Sequence, residues 1–167
     1  RDAQQTDAGA LRISWQLGFA ELLSITGLAR SDLRYGFDAD WGNPAYWAPY
    51  VYQFSQAFAR ERDTLNQELR LISGPDSQLF GADWVTGMYV LELDESNARR
   101  DQGVCDVATC GYDLLLDTSA SSDYSATSVA LFGSVARPLG DTVTASAGLR
   151  WEQRSARYRD AFGSRFD

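Results

Sequence analysis

The chain has 167 residues, with 23 acids against 15 bases and a net charge of −8; every base is arginine, and there is neither lysine nor histidine. An acidic chain without a basic cluster lacks the concentrated positive charge that neutralises phosphates, which argues against nucleic acid as a partner. The lack of histidine removes the commonest general base and the commonest metal ligand.

Hydrophobic residues make up 44% of the chain and aromatics 13%, yet the mean hydropathy is −0.32. Many apolar residues without a long apolar run is the product of alternation. No stretch approaches the ~20 apolar residues of a membrane-spanning helix, but a barrel strand needs only ~9–11 residues with every second one apolar. The chain opens at Arg1-Asp2-Ala3 and stops at Phe166-Asp167 without a signal peptide. It reads as one piece, 1–167, of a longer protein.

Six segments carry strand patterns, in three pairs. In Leu11-Arg12-Ile13-Ser14-Trp15-Gln16-Leu17 the alternation is strict,. After a turn at 18–21, Leu23, Ile25, Gly27, Ala29, Leu33, Tyr35 and Phe37 alternate with Ser24, Thr26, Arg30, Asp32 and Arg34. A stretch over about 38–62 is broken by Gly42, Pro44 and Pro49 and carries Trp41, Tyr46, Trp47, Tyr50, Tyr52, Phe54 and Phe58, so it reads as a long aromatic loop,.

The second pair is Thr64–Ser73 and Trp84–Leu93, joined through Gly74-Pro75-Asp76-Ser77,. A second long loop, about 94–124, holds Cys105, Cys110 and a run of acids. The third pair is Ala126–Ala136 and Thr142–Glu152, with the turn Arg137-Pro138-Leu139-Gly140-Asp141 between them. The tail from Gln153, with Arg154, Arg157, Arg159 and Arg165, reads as the start of another loop.

The expected fold is therefore all-β: a fragment of an antiparallel up-and-down transmembrane β-barrel, about six strands with short turns and long loops. A soluble β-sandwich binding module also alternates and is the competing reading. The regular order of short turns and long loops favours the barrel. So do charges on the face expected to point inward: Arg12, Arg30, Asp32, Arg34, Glu68, Arg70, Arg150 and Glu152. The outward, lipid-facing set is expected to be Leu11, Ile13, Trp15, Leu17, Leu23, Ile25, Leu69, Leu71, Val85, Tyr89, Leu91, Val129, Leu131, Val135, Val143, Leu149 and Trp151. Turns 18–21, 74–83 and 137–141 should face the periplasm and loops 38–62 and 94–124 the outside, since bacterial barrels keep their short turns inside.

Four stretches narrow the reading. Asn66-Gln67-Glu68-Leu69-Arg70-Leu71-Ile72-Ser73 resembles the "QELRL-S" strand of TonB-dependent receptors, and Trp84-Val85-Thr86-Gly87-Met88-Tyr89-Val90 resembles the "W-x-x-G-x-Y" strand that follows it. Leu131-Phe132-Gly133-Ser134-Val135, continuing to Gly148-Leu149-Arg150-Trp151-Glu152, is similar to the "FG-x-x … GLRYE" hairpin of the same barrels. Leu22-Leu23-Ser24-Ile25-Thr26-Gly27 looks like the "L-x-SIT" strand that precedes an outer loop. The matches cover about residues 10–155, in the family's order.

The resemblance implies an outer-membrane receptor of a Gram-negative bacterium, with a barrel of about 22 strands and an N-terminal plug. Such a receptor imports ferric siderophores, cobalamin or oligosaccharides and is energised by the TonB complex through a region absent from this chain. It also implies no catalytic residues and no cofactor. A passive or structural outer-membrane barrel is the alternative.

Three groups are candidate sites. Trp41, Tyr46, Trp47 and Tyr50 offer rigid rings for ligand contact, against the plainer role of loop packing or an interfacial girdle. Cys105 and Cys110 read as a local disulfide in an exported protein. The acids of 94–124 could attract Ca²⁺, but they lack a spaced ligand motif, and a solvated acidic loop is the simpler reading, so no metal site is expected.

Overall fold

A computed structural model describes residues 2–161 and 165–166. Period-2 alternation becomes a single antiparallel sheet in sequence order: β1 (Ala3–Gln16), β2 (Ala20–Asp38), β3 (Tyr52–Ser73), β4 (Asp83–Cys105), β5 (Leu114–Pro138), β6 (Thr144–Asp160) and the short β7 (Arg165–Phe166). Each strand pairs with the next, so the connectivity is up-and-down and local throughout. The sheet is not closed into a barrel. Two single-turn helices, α1 (Pro44–Trp47) and α2 (Val107–Cys110), sit at the tips of hairpins. Among the described residues no helix is long and apolar enough to cross a membrane, which does not bear on strands.

The strands outrun the sequence expectation at one end. β1 begins at Ala3, β2 runs to Asp38 and β3 starts at Tyr52, so most of 52–62 is strand rather than loop. β4 continues to Cys105 and β5 starts at Leu114, leaving only 106–113 between them instead of 94–124. β6 continues through Arg154, Arg157 and Arg159 to Asp160, where a loop was expected; 162–164 lie outside the described residues. Alternation was harder to see in these extensions because polar residues occupy both faces. Cross-strand pairs such as Arg62 with Glu95 supply the local preference instead,.

Register fixes the faces, because directly paired residues point to the same side of the sheet. One row runs Ile13, Ser24, Leu69, Met88, Leu131, Trp151, and the next Leu11, Thr26, Gln67, Val90, Val129, Gln153. The face that carries these rows is called the first face. Arg12, Leu23, Ile25, Glu68, Arg70, Tyr89, Leu91, Phe132, Arg150 and Glu152 occupy the second.

The expected outward set therefore does not share one face: its members in β1, β3, β5 and β6 lie on the first face and those in β2 and β4 on the second. Leu23 and Ile25 pair with Arg70 and Glu68, and Val85, Tyr89 and Leu91 share their face with Ser134, Ala130 and Ser128. Their places on the first face belong to Leu22 and Leu28 in β2 and to Trp84, Met88 and Val90 in β4. Likewise Arg30, Asp32 and Arg34, expected inward, belong to the first face. Both strands are apolar on both sides over part of their length, so parity alone could not choose. Leu17 and Val143 fall just outside β1 and β6.

No second layer covers the sheet. Leu23, Ala126, Ser128 and Ala130 are buried on the second face, whereas on the first Trp15, Leu131, Trp151 and Leu149 stay more than half exposed.

Candidate functional site

The first face is divided into a band and a wall. The last apolar residues before the charges begin are Leu28 in β2, Leu65 in β3, Val90 in β4, Val129 in β5 and Trp151 in β6. Beyond them stand Arg30, Asp63, Glu92, Asp123 and Arg157.

This limit is oblique to the rows. Leu28 and Leu65 share one row, Val90 and Val129 the next, and Trp151 the one after. The limit thus drops two rows, or four residues, over the four steps from β2 to β6. The lower limit follows it: Trp15, Leu22 and Leu71 share a row, Trp84 and Val135 lie one row below, and Ala145 one further. A shift of about one residue per strand, at ~3.3 Å rise and ~4.8 Å strand spacing, corresponds to strands inclined by about 35° to the normal of a flat slab.

Polar atoms inside the band satisfy one another. Thr26 Oγ1 donates to Gln67 Oε1, and Gln67 Nε2 donates to Ser24 Oγ at 2.9 Å. Thr86 Oγ1 donates to the Phe132 carbonyl at 3.2 Å. Tryptophans mark the margins: Trp15 and Trp84 at the lower limit, Trp151 at the upper. The indole N–H of Trp84 leaves the band to donate to the Ser77 carbonyl in the turn, 2.8 Å away.

Past the band the sheet continues as a charged wall. On its first face Arg30 bridges Asp32 and Glu61, and Arg100 forms a two-pronged pair with Asp117 at 2.8 and 2.7 Å. On its second face Glu95 receives Arg62 Nε at 2.8 Å and Asn97 Nδ2 at 3.0 Å, with Arg60 nearby at 3.6 Å. Burial pushes the Glu95 carboxyl up, but these donors and the two guanidinium charges outweigh it and hold it below the usual range,. The charges nearer the turns pair along their own strand: Glu68 with Arg70 at 2.6 Å and Arg150 with Glu152 at 2.9 Å. The Arg150 guanidinium also lies 5.5 Å from the Tyr89 ring, reaching across β5, where Ala130 is fully buried.

The four rings named as ligand contacts separate into two kinds. Trp47 is structural. It packs on Gly42, where a Cβ would come within 2.4 Å of Nε1, and against Tyr46 and Tyr52 at 5.1 and 5.0 Å. Its buried Nε1 meets no acceptor in hydrogen-bonding geometry among the described residues, but it lies close enough to Asp40 to help lower that carboxyl. Asp40 is itself buried and accepts from Phe54 N–H and Gly42 N–H, both at 2.9 Å. Phe54 N–H is the main cause that holds its pKa below the usual value. Trp41, Tyr46 and Tyr50, by contrast, are 96%, 72% and 53% exposed. Trp41 also has φ 62°, a left-handed conformation that costs a bulky residue energy,. None of these three rings lines the hollow of about 570 Å³ formed among Asp38, Asp40, Phe54, Gln102, Leu115 and Asp117.

Cys105 and Cys110 are joined by a disulfide, with Cα atoms 6.1 Å apart, across α2. Next to it, Asp106 ties the two hairpin tips together. Its carboxylate accepts from Thr109 N–H at 2.9 Å and Val51 N–H at 3.1 Å, and its own N–H donates to the Val51 carbonyl. Thr109, then Val51, keeps this carboxyl below its usual pKa. Among the described residues no group of three or more acidic or cysteine side chains is placed to hold a metal ion.

Sequence reasoning missed the platform of Tyr35, Phe37, Phe58 and Arg99 on the second face, since Phe58 was placed in a loop. The signal was present: Tyr35 and Phe37 stand two apart in one segment, and Tyr52, Phe54 and Phe58 stand at even spacing in the next. No protein-family model matches the chain, and no curated protein matches it.

Proposed function

We propose that this chain is part of the wall of an outer-membrane β-barrel, and that the barrel is a receptor of the TonB-dependent kind that takes up a large nutrient such as a ferric siderophore, cobalamin or an oligosaccharide. The oblique apolar band carries the reading. A band seven residues deep on one face of each strand from β2 to β6, margined by tryptophans and stepped by about one residue per strand, is what a flat lipid slab imposes on inclined strands,. Exposed apolar patches of that extent are rare on soluble monomers. The pairing of Gln67 with Ser24 and Thr26 supports it, since polar atoms facing hydrocarbon must find partners inside the protein.

Strand length supports a receptor over a plain anchor. β3, β4 and β5 have 22, 23 and 25 residues, or about 75 Å of chain each at ~3.3 Å per residue. A bilayer needs ~10 residues of each. The remainder raises a wall well beyond the membrane, suited to enclosing a bulky ligand. The uptake function and its TonB coupling rest on the resemblance of β2 through β6 to the family's strands. With this orientation the tips, 39–51 and 106–113, face outside and the turns face the periplasm.

Spin labels placed singly along β5 in the complete protein, in lipid vesicles, test the band. Val129, Leu131 and Val135 should be accessible to oxygen and protected from a water-soluble nickel reagent, with depth greatest near Leu131. The intervening positions should show the opposite or neither. Equal nickel accessibility on both faces would overturn the membrane assignment. On intact cells, protease should cut the tips and spare 74–82.

A further inference from the structure

We propose that the hollow beside Arg99 on the second face is a binding subsite for a flat, π-rich group that carries a carboxylate or similar oxyanion. The inference rests on the receptor reading above and deepens it by assigning a ligand chemistry to one part of the wall.

Three strands build a stack here. Tyr35 of β2 is paired with Phe58 of β3, their rings 4.8 Å apart and only 7° from parallel. Phe37 adds a second near-parallel ring, 5.9 Å from Phe58 at 17°. Arg99 of β4, paired with Phe58, places its guanidinium carbon 5.7 Å from the Phe58 centroid. Phe58 thus lies between a ring and a cation, each one strand away. On β5 the sequence turns small, with Ala120 paired to Arg99 and Ser122 next on that face. These short side chains floor a hollow of about 360 Å³, walled by Phe58, Asn97 and Arg99 on one side and by Tyr158 and Asp160 of β6 on the other.

The chemistry of the walls selects the occupant. Arg99 uses Nε to reach Asp101 at 2.8 Å, and among the described residues its two terminal nitrogens have no partner. A guanidinium stacked on a ring, with its terminal N–H groups open, offers a planar fork for an oxyanion and a flat surface for a π-system. Tyr35 Oη likewise has no hydrogen-bond partner among the described residues, and Tyr35 is 37% exposed. Arg60 also lines the hollow but is engaged with Asn97 and Glu95, and Asp160 is the one acid there. Arg99 and Arg60 are each paired with an acid of the same face, Asp101 and Glu95, so what the hollow offers an oxyanion is the open terminal N–H groups of Arg99 rather than a net positive charge. The gap between β4 and β6 is one strand wide, about 9–10 Å at ~4.8 Å per strand, and admits one flat group.

Benzoate, cyclohexanecarboxylate and benzyl alcohol separate the two recognition elements, and saturation-transfer NMR on the complete receptor in detergent micelles reads their binding. Benzoate should bind at least about tenfold more tightly than cyclohexanecarboxylate, which lacks the π-face, and than benzyl alcohol, which lacks the charge. Arg99→Gln and Phe58→Leu should each weaken benzoate about tenfold, whereas Phe58→Tyr, which keeps the ring, should bind as the parent does. Equal affinity for benzoate and cyclohexanecarboxylate, or benzoate binding unchanged in Arg99→Gln and Phe58→Leu, would overturn the subsite. Those results would leave the membrane reading untouched, because that reading stands or falls on the β5 quenching pattern measured in the same protein.

Discussion

Gln67 and Ser24 hold each other on the apolar face of the sheet: the amide Nε2–H of Gln67 donates to Ser24 Oγ across 2.9 Å, and the same amide's oxygen accepts from Thr26. A glutamine set among Leu65, Leu69 and Leu71 would otherwise expose a bare amide to whatever that face contacts. Its position makes it a probe of whether the band is dry.

Thr26→Val in the complete protein should cost about 1–3 kcal/mol, because the Gln67 oxygen loses its donor in an apolar setting. The double variant Thr26→Val/Gln67→Leu should recover most of that loss, since no polar atom is then stranded. Urea unfolding in lipid vesicles measures both. Equal, negligible costs would mean that water reaches Gln67 and the band is wet.

Leu131 and Ser134 lie three residues apart on β5 and face opposite sides. If the first face meets lipid as proposed, Leu131→Arg should destabilise the protein in vesicles by ~2–4 kcal/mol, the cost of an arginine on a lipid-facing site near mid-bilayer. Ser134→Arg should cost far less. Comparable values from vesicle unfolding titrations would show that the register, and with it the face assignment, is wrong.

Glu95 supplies a pH test beyond the band. Its carboxyl is depressed in the fold by Asn97, Arg62 and Arg60 against the opposing effect of burial. A depressed carboxylate contributes stability in full above its unfolded pKa, about 4.3, and loses it as pH falls through the lower folded value. The parent should therefore lose stability below about pH 4.3 more steeply than Glu95→Gln does. Arg62→Ala should cost about 1 kcal/mol at neutral pH, a value kept small because that guanidinium is half exposed. Parallel pH–stability curves for parent and Glu95→Gln would remove Glu95 as the source.

Asp106 links the two hairpin tips through Val51 and Thr109. Asp106→Ala should speed hydrogen exchange at the Val51 and Thr109 amides while leaving amides in the middle of β3 unchanged. Because its pKa is depressed, the parent should show the same local loosening as pH falls through the folded value of this carboxyl, below the usual range near 3.9,. Protection that survives in Asp106→Ala would mean that the Cys105–Cys110 bridge and the Asp106 N–H to Val51 bond hold the tips without the carboxylate.

Much of this architecture was written in the chain. Alternation of period two is covalent geometry, so Leu11-Arg12-Ile13-Ser14-Trp15 and Val143-Thr144-Ala145-Ser146-Ala147 declare two-faced strands wherever they end up,. Pro75 with Gly74 and Pro138 with Gly140 place the turns that join them,. The all-β class, the hairpin order and the cysteine pair were all legible from these residues.

What the chain could not state was which face each strand turns to its neighbours. In β2, Leu22, Leu23, Ile25 and Leu28 put apolar side chains on both sides; in β4, Val85, Met88, Val90 and Leu91 do the same. Parity within a strand is fixed by its own backbone, but parity between strands depends on register, and a slip of one residue moves every side chain to the other face. Pairing of Leu23 with Arg70 and of Tyr89 with Ala130 settles it. The same holds for the platform at Phe58 and for the arginines that clasp Glu95, which lie tens of residues away from it. Only the hydrogen-bonded ladder brings Tyr35 and Arg99 to the two sides of one ring, because proximity across a sheet is a property of register and not of sequence distance.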